Sequence, residues 1–447
     1  MRHLWLPIVL FLAVSLPHLD QGDFRRDTGL YAAVGHWMWE TGQLATPHYH
    51  PERPYFNKPP LAILLHGLSL KAGGRDNLVA ARLPSVFAGC LIVLLTASVA
   101  RRLTSEGVAL TSGIVLALSY DFFRRTHEIS LDLWQLVFIM LAVLWTVTGL
   151  EAKRSVVWFL GAGASLGLAL LCKPLVALVL IPIVALWMAF DRRPRQIVPF
   201  VAASALGALL TGAPWHLYMA ARFDQDFLSV YFGNQIAGRM AGDHGSGPFY
   251  YYLLMLVNYT WPWIIALVLG LLAAIRGKLD PASRRLFLLG GVWCAVVLPA
   301  LSVFTDKQPN YALPLFPPLA WICALGLHAL GPGPFARWRD RGYPWLWVPA
   351  LVGALTATLL PWRSHSGEDP DWRGIADTVA RERIDPSMVA GGRLQPKEIA
   401  AYYVFTGAWP IVADGSPLEA AIVRKRVFRW DHPVIFEGER FILFRPD

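Results

Sequence analysis

The sequence predicts a polytopic, α-helical membrane protein that ends in a small soluble α/β domain. Three observations carry that reading. Of the 447 residues, 55% are hydrophobic and 16% charged, against roughly 25% charged in an ordinary soluble domain. The apolar residues gather into runs near the ~20 residues that a helix needs to cross a bilayer. After Pro361 the composition changes: SHSGEDPDWRGIADTVARERIDPSM is charged and helix-like, and short apolar runs follow at Ala401–Phe405, Val434–Phe436 and Phe441–Phe444.

About eleven spans meet the bilayer template, at residues 3–19, 78–100, 107–121, 131–150, 155–172, 174–190, 196–219, 249–275, 286–304, 312–330 and 343–361. The first resembles a signal peptide. No small-x-small cleavage site follows it cleanly and further spans do, which favours an uncleaved first span. With the N-terminus inside, the cytoplasmic connections hold Arg101-Arg102, Lys153-Arg154, Arg192-Arg193 with Arg195, Arg276 to Arg285, and Arg337 to Arg341. Each is short and carries at least two cations, as the positive-inside rule asks. Residues 20–77, 121–130, 220–248 and 305–311 then face the outer side, with the C-terminal region. The expected domains are 1–361 in the membrane and 362–447, a soluble α/β domain of about 85 residues.

The net charge of +9 could suggest nucleic acid, but no basic patch alternates with base-stacking aromatics in a soluble segment. Loop cations account for the charge. Cys90, Cys172, Cys294 and Cys323 all sit in apolar runs without CxxC spacing, which reads as small buried hydrophobes rather than disulfides or a zinc site.

The stretch from Asp20 to Arg82 is the longest polar interruption in the apolar part of the chain. Leu30, Val34, Trp37 and Met38 recur at helical spacing between Thr28 and Glu40, and Gly42 sits where a helix would stop. This predicts an amphipathic helix on the outer membrane surface. Pro59-Pro60 open a second apolar stretch, LAILLHGLSL, too short to span and read as interfacial or re-entrant. Ionisable residues at the membrane edge are costly and therefore functional candidates. Asp27 suits a carboxylate kept ionised by Arg25 and Arg26, able to take a proton from an acceptor; it equally suits a helix cap. Lys58 can hold a phosphate as a point charge or snorkel to headgroups. Asp132 lies just inside an apolar run, so it should face protein or a wet cavity. His127 and Glu128 are weak as metal ligands. No P-loop, GxSxG elbow, HExxH or Rossmann fingerprint occurs.

The ordered set of motifs resembles one superfamily. It comprises Asp27 with Tyr31 in RRDTGLYA, Tyr55-Phe56-Asn57-Lys58-Pro59-Pro60, Ala81-Arg82-Leu83-Pro84-Ser85 and Asp132. Cys172-Lys173-Pro174 follows, then Arg239 with GDHGSGPFYYY, and Lys307 with Asn310-Tyr311-Ala312-Leu313-Pro314. It is similar to the polytopic glycosyltransferases that use polyprenyl- or dolichyl-phosphate sugars, such as protein O-mannosyltransferases and lipid A aminoarabinose transferases. The resemblance implies a GT-C fold with periplasmic surface helices, in a bacterial inner membrane, with the site on the periplasmic face. It implies a polyprenyl-phosphate sugar donor, an envelope acceptor (lipopolysaccharide, another glycan or protein) and inversion at the anomeric carbon. Asp27 would be the catalytic base and Asp132 the second acidic residue. Lys58, Arg239 and Tyr311 would bind the donor phosphate, with Tyr31, Tyr55, Arg82, His244 and Lys307 completing the substrate-binding set. Two residues depart from the pattern. Thr28 follows Asp27 where an acid is common. Asn57 replaces a Glu that can contribute to a metal site in relatives, so the sequence names no cofactor and leaves a divalent metal open. Two rivals stay open as well: a transporter or flippase of lipid-linked glycan, and an inactive relative that only binds polyprenyl phosphate. The clustering of charge at one face favours the enzyme over the transporter.

Overall fold

The computed structural model describes residues 4–22, 24, 27–173, 176–237, 247–303, 307–329, 369–391, 394–411, 420–424, 432–438 and 440–446. In chain order the elements are α1 (Trp5–Ser15), α2 (Asp27–Thr41), β1 (His48–His50), β2 (Arg53–Pro54), α3 (Leu61–Gly73), α4 (Leu78–Leu103), α5 (Glu106–Ala117), α6 (Tyr120–Arg124), α7 (Leu131–Gly149) and α8 (Ser155–Leu170). There follow α9 (Leu180–Phe190), α10 (Ile197–Leu228), α11 (Tyr251–Thr260), α12 (Ile264–Ile275), α13 (Pro281–Val303), α14 (Phe316–Ala329), α15 (Asp369–Arg381), β3 (Val389–Ala390), α16 (Pro396–Thr406), β4 (Ala420–Arg424), β5 (Val434–Glu437) and β6 (Phe441–Phe444).

Among the described residues, 5 helical stretches are long and apolar enough to cross a membrane, or up to 7 if two bent pairs each count as one span. The five are Leu78–Leu103, Leu131–Gly149, Pro194–Gly233, which is kinked at Asp224, Pro281–Val303 and Pro309–Ala329. The expected span 107–121 is instead two helices meeting at 57°, and 249–275 is two meeting at 108°. Pro262 lies at the second break, where a missing amide donor cannot continue a helix. The expected spans 3–19, 155–172 and 174–190 hold the shorter apolar helices Trp5–Ser15, Ser155–Leu170 and Ala177–Phe190. The expected span 343–361 lies outside the described residues.

The chain divides into two compact units: Met1–Pro17, Asn57–Pro59 and Ser85–Leu360 form one, and His18–Phe56, Pro60–Pro84 and Pro361–Asp447 the other. In the first unit, small residues let helices approach closely, as membrane helix pairs require. A Cβ on Gly163 or Gly207 would collide with backbone of the facing helix, at Ser204 and Leu160 respectively. Across the same α8–α10 seam Thr211 Oγ1 donates to Ala164 O at 3.0 Å and Ser204 Oγ to Phe159 O at 3.2 Å. The Trp321 indole donates to Thr96 O at 3.0 Å, tying α14 to α4. Two predicted cytoplasmic loops carry structural pairs: Arg285 Nε reaches both Asp191 oxygens at 3.1 Å.

In the second unit α2 packs on α3 on one side and α16 on the other. The α2–α3 crossing is a backbone contact. A Cβ on Gly67 would run into the Gly35 carbonyl, and one on Gly35 into Ile63 O. Burial therefore runs round α2, from Thr28 through Val34 to Trp37 and Met38. The sequence pattern suggested a helix with one apolar face on lipid; protein covers both sides instead. The C-terminal strands form a sheet of order β3-β4-β6-β5, with β3 and β4 parallel and the other pairs antiparallel. Its core gathers Trp372, Ile375, Ile399, Tyr402, Ile422 and Phe441. The buried Asp371 carboxylate accepts the Arg440 and Phe441 amides at 2.7 and 3.1 Å, which offsets the cost of burying its charge.

Candidate active site

In the first unit the polar side chains meet where α7 begins and α8 ends. The two helices are consecutive and packed together, so the first turn of one and the last of the other lie at the same end. Ser130 caps α7, its hydroxyl accepting from Leu133 N, and Asp132 stands in the first turn. Gln135 donates from Nε2 to the Lys173 carbonyl at 2.8 Å, fixing the backbone just past α8. The Lys173 ammonium then meets Asp132 Oδ1 at 2.5 Å. The other carboxylate oxygen accepts from Asn310 Nδ2 at 3.1 Å. Asn310 is carried by a 3₁₀ turn, Pro309–Leu315, leading into α14. The next residue, Tyr311, places its ring 4.8 Å from the Lys173 ammonium, a cation–π contact. Lys58, a buried residue at 6% exposure, lies within electrostatic reach of Asp132. The result is a carboxylate with both oxygens engaged and two lysines beside it, in a setting too apolar to hold such charges singly.

Lys307, expected to bind substrate, donates to Leu301 O at 2.9 Å and Ser302 O at 2.7 Å. It thus satisfies carbonyls in the last turn of α13, where a helix end favours a cation. Arg239 and His244, also expected in the site, lie outside the described residues.

The second unit holds Asp27, Tyr31, Tyr55 and Arg82. Asp27 opens α2 with its side chain 56% exposed, and Lys397 Nζ stands 2.5 Å from its Oδ1. Tyr31, one turn on, is buried. Tyr55 is buried too, its amide bonded to Pro47 O at 2.7 Å. The buried Arg82 donates from Nη1 to Leu19 O at 2.7 Å and Gln21 O at 2.6 Å. It holds the backbone that leads towards Asp27, a supporting task. Further along α2, His36 Nδ1 and the Tyr403 hydroxyl are 3.1 Å apart. Burial lowers the His36 pKa, with Arg75 and Lys71 adding to the effect and Glu40 opposing it. Burial likewise pushes the Tyr403 hydroxyl up to about 12.

Three residues were missed as site residues from sequence: Lys173, Asn310 and Lys397. Lys173 had a signal, since a lysine at the end of an apolar run is costly without a partner. Lys173 and Asn310 also stand in motifs that carry the resemblance, where neither was given a role; Lys397 had no signal, because it acts only through a partner distant in the chain. Among the described residues no group of three or more His, Cys, Asp or Glu side chains is arranged to hold a metal ion.

In the first unit, apolar helices long enough to cross a membrane carry buried charge at one end; the second unit presents a half-exposed carboxylate. Residues 57–218 match the family described as dolichyl-phosphate-mannose-protein mannosyltransferase. Similar sequences include an undecaprenyl phosphate-alpha-4-amino-4-deoxy-L-arabinose arabinosyl transferase of Pseudomonas aeruginosa, 30% identical over 74% of this chain and 60% of the relative. One from Pseudomonas fluorescens is 28% identical over 71% of this chain and 58% of the relative. The chain thus spans about three fifths of the length of these relatives. Among solved structures, ArnT from Cupriavidus metallidurans bound to undecaprenyl phosphate superposes with a TM-score of 0.81 at 18% identity, over 98% of this chain and 97% of that one. The archaeal oligosaccharyltransferase AglB from Archaeoglobus fulgidus gives 0.56 at 14% identity, over 93% and 60%. The chain thus has the fold of these transferases and is similar in sequence to the undecaprenyl-phosphate arabinosyl transferases over about three quarters of its length.

Proposed function

We propose that the chain is a membrane glycosyltransferase that moves a sugar from a polyprenyl-phosphate donor to a cell-envelope acceptor. The observation that carries this reading is the group formed by Asp132, Lys173, Asn310 and Tyr311 with Lys58 in reach, on a fold shared with a protein that binds undecaprenyl phosphate. The named relatives transfer an aminoarabinose from undecaprenyl phosphate, which makes a lipid-phosphate pentose or hexose the first donor to test.

In the proposed reaction Asp27 takes a proton from the acceptor, whose oxygen or nitrogen attacks the anomeric carbon. The bond to the lipid phosphate breaks on the opposite face, so configuration inverts and polyprenyl phosphate leaves. Charge develops on the leaving phosphate, and fixed cations there lower the barrier. Lys58 and Arg239 are assigned that role, with Tyr311 hydrogen-bonding the phosphate. Asp132 holds Lys173 and Asn310 in place, and so orders the wall from which Tyr311 projects. Tyr31, Tyr55, Arg82, His244 and Lys307 complete or support the substrate-binding surface. The proposal includes eleven spans, an inner-membrane location with the N-terminus inside and the site on the periplasmic side, and a soluble α/β domain from residue 362 on.

The experiment is transfer from a labelled polyprenyl-phosphate sugar to an envelope extract by purified protein in liposomes. The reading expects label to leave the lipid and appear on an acceptor. Label that crosses the bilayer still attached to lipid would identify a transporter. Donor that binds without turnover would identify an inactive relative.

A further inference from the structure

Asp27 is the residue given the central chemical task, yet its immediate partner comes from the far end of the chain. Lys397 Nζ lies 2.5 Å from Asp27 Oδ1, with the two side chains 46% and 56% exposed. The placement follows from how α16 is built. Pro396 occupies the first helical position, and Gln395 and Glu398 form a reciprocal capping box, so the helix starts at a fixed point and Lys397 stands in its first turn. The other end is fixed as well. Gly407 closes α16 with φ 82°, and Arg75 Nε donates to Val404 O at 2.9 Å. Between these ends Tyr403 meets His36 on α2. Lys397 and Tyr403 thus contact Asp27 and His36 in the same order, so α16 and α2 run in the same direction and their first turns coincide.

The pair is not needed to hold α16 down. Ile399, Ala400, Tyr402, Tyr403 and Val404 are buried, and an exposed ion pair contributes little to stability. Its effect falls on the carboxylate. One carboxylate oxygen is engaged by the ammonium, and such a contact restrains the orientation of the carboxylate.

We infer that Lys397 is a positioning residue for Asp27, so that the C-terminal segment completes the acceptor side of the active site. The inference rests on the base role proposed for Asp27. The test compares full-length wild type, K397M, K397R and D27N in the liposome transfer assay, with each variant's apparent melting temperature measured alongside. K397M should keep the wild-type melting temperature and donor KM but lose about tenfold or more in kcat, the scale of a misoriented catalytic group. K397R should return kcat to within about threefold of wild type, because the guanidinium restores the charge but not the same reach. Wild-type kcat in K397M, or equal losses in K397M and K397R, would overturn the inference. A D27N that turns over at the wild-type rate would overturn both this inference and the role of Asp27. An inactive D27N beside an unaffected K397M would overturn only the inference about Lys397.

Discussion

Replacing Lys173 by Met should destabilise the protein severely, and replacing Asp132 as well should give part of the loss back. Lys173 and Asp132 are 8% and 18% exposed in their side chains and meet at 2.5 Å. Removing one partner of a buried ion pair costs about 3–5 kcal/mol, because the remaining charge keeps its desolvation penalty without its counter-charge. In K173M the Asp132 carboxylate keeps the Asn310 amide, and in D132N the Lys173 ammonium keeps the Tyr311 ring. The Asn310 amide and the Tyr311 ring supply no full opposite charge, and in K173M the Lys58 ammonium, which acts on Asp132 more weakly than Lys173 does, offsets part of the loss. Contacting residues of this kind couple by about 0.5–3 kcal/mol, so the double variant should lose clearly less than the sum of the single losses. Apparent melting temperatures of detergent-solubilised protein at one scan rate would measure this. Each single variant should melt lower by several degrees, taking about 2–4 °C per kcal/mol for chains of 150–250 residues as an upper guide. Single variants within a degree of wild type, or losses that simply add, would refute the buried pair as described.

The close crossing of α2 and α3 predicts that Gly67→Val costs about 1–3 kcal/mol by overpacking, since its side chain would meet the Gly35 backbone; urea unfolding of the reconstituted protein checks it. Arg82→Met removes the donor to Leu19 O and Gln21 O, a loss of about 1–3 kcal/mol where acceptors stay buried, and should speed amide exchange around Gln21. The lowered His36 pKa sets a pH dependence. The folded state favours neutral His36, so its contribution is fully present above the ordinary histidine value near 6.5 and is lost as pH falls through the lower folded value. Glu40, Arg75, Lys71 and Tyr403 surround it, and Glu40 offsets part of the effect. Protease protection of α16 should fall with acidification over that window, and His36→Gln should flatten the dependence.

The sequence carried the long spans well because a bilayer imposes a length and a composition. Residues 131–150 were expected and Leu131–Gly149 is observed; residues 78–100 were expected and Leu78–Leu103 observed. Where a run breaks inside, composition alone misleads. The 249–275 segment is apolar throughout, and it bends by 108° near Pro262, where a proline without an amide donor interrupts the helix; hydropathy does not register this. In the C-terminal region the apolar runs were visible but their type was not. Val434–Phe436 and Phe441–Phe444 fall in strands, whereas Ala401–Phe405 lies in α16, where the capping residues Gln395 and Glu398 decide the matter. The helix at Thr28–Glu40 was legible from its spacing, and Asp27–Thr41 is helical. Its surroundings were not, because the covering helices come from residues 61–73 and 396–406. The same limit applies to the site. Asp132 announced itself as a charge in an apolar run; its partners Lys173 and Asn310 are 41 and 178 residues away, and although both stand in the ordered motifs, nothing along the chain says that they meet Asp132.

The most direct measurement is single-turnover transfer from a labelled polyprenyl-phosphate sugar by wild type and Asp27→Asn, with donor binding measured in both. The account predicts that the variant binds donor as wild type does and transfers the sugar at least about a hundredfold more slowly, the contribution of a general base. Equal transfer rates in the two proteins would contradict it.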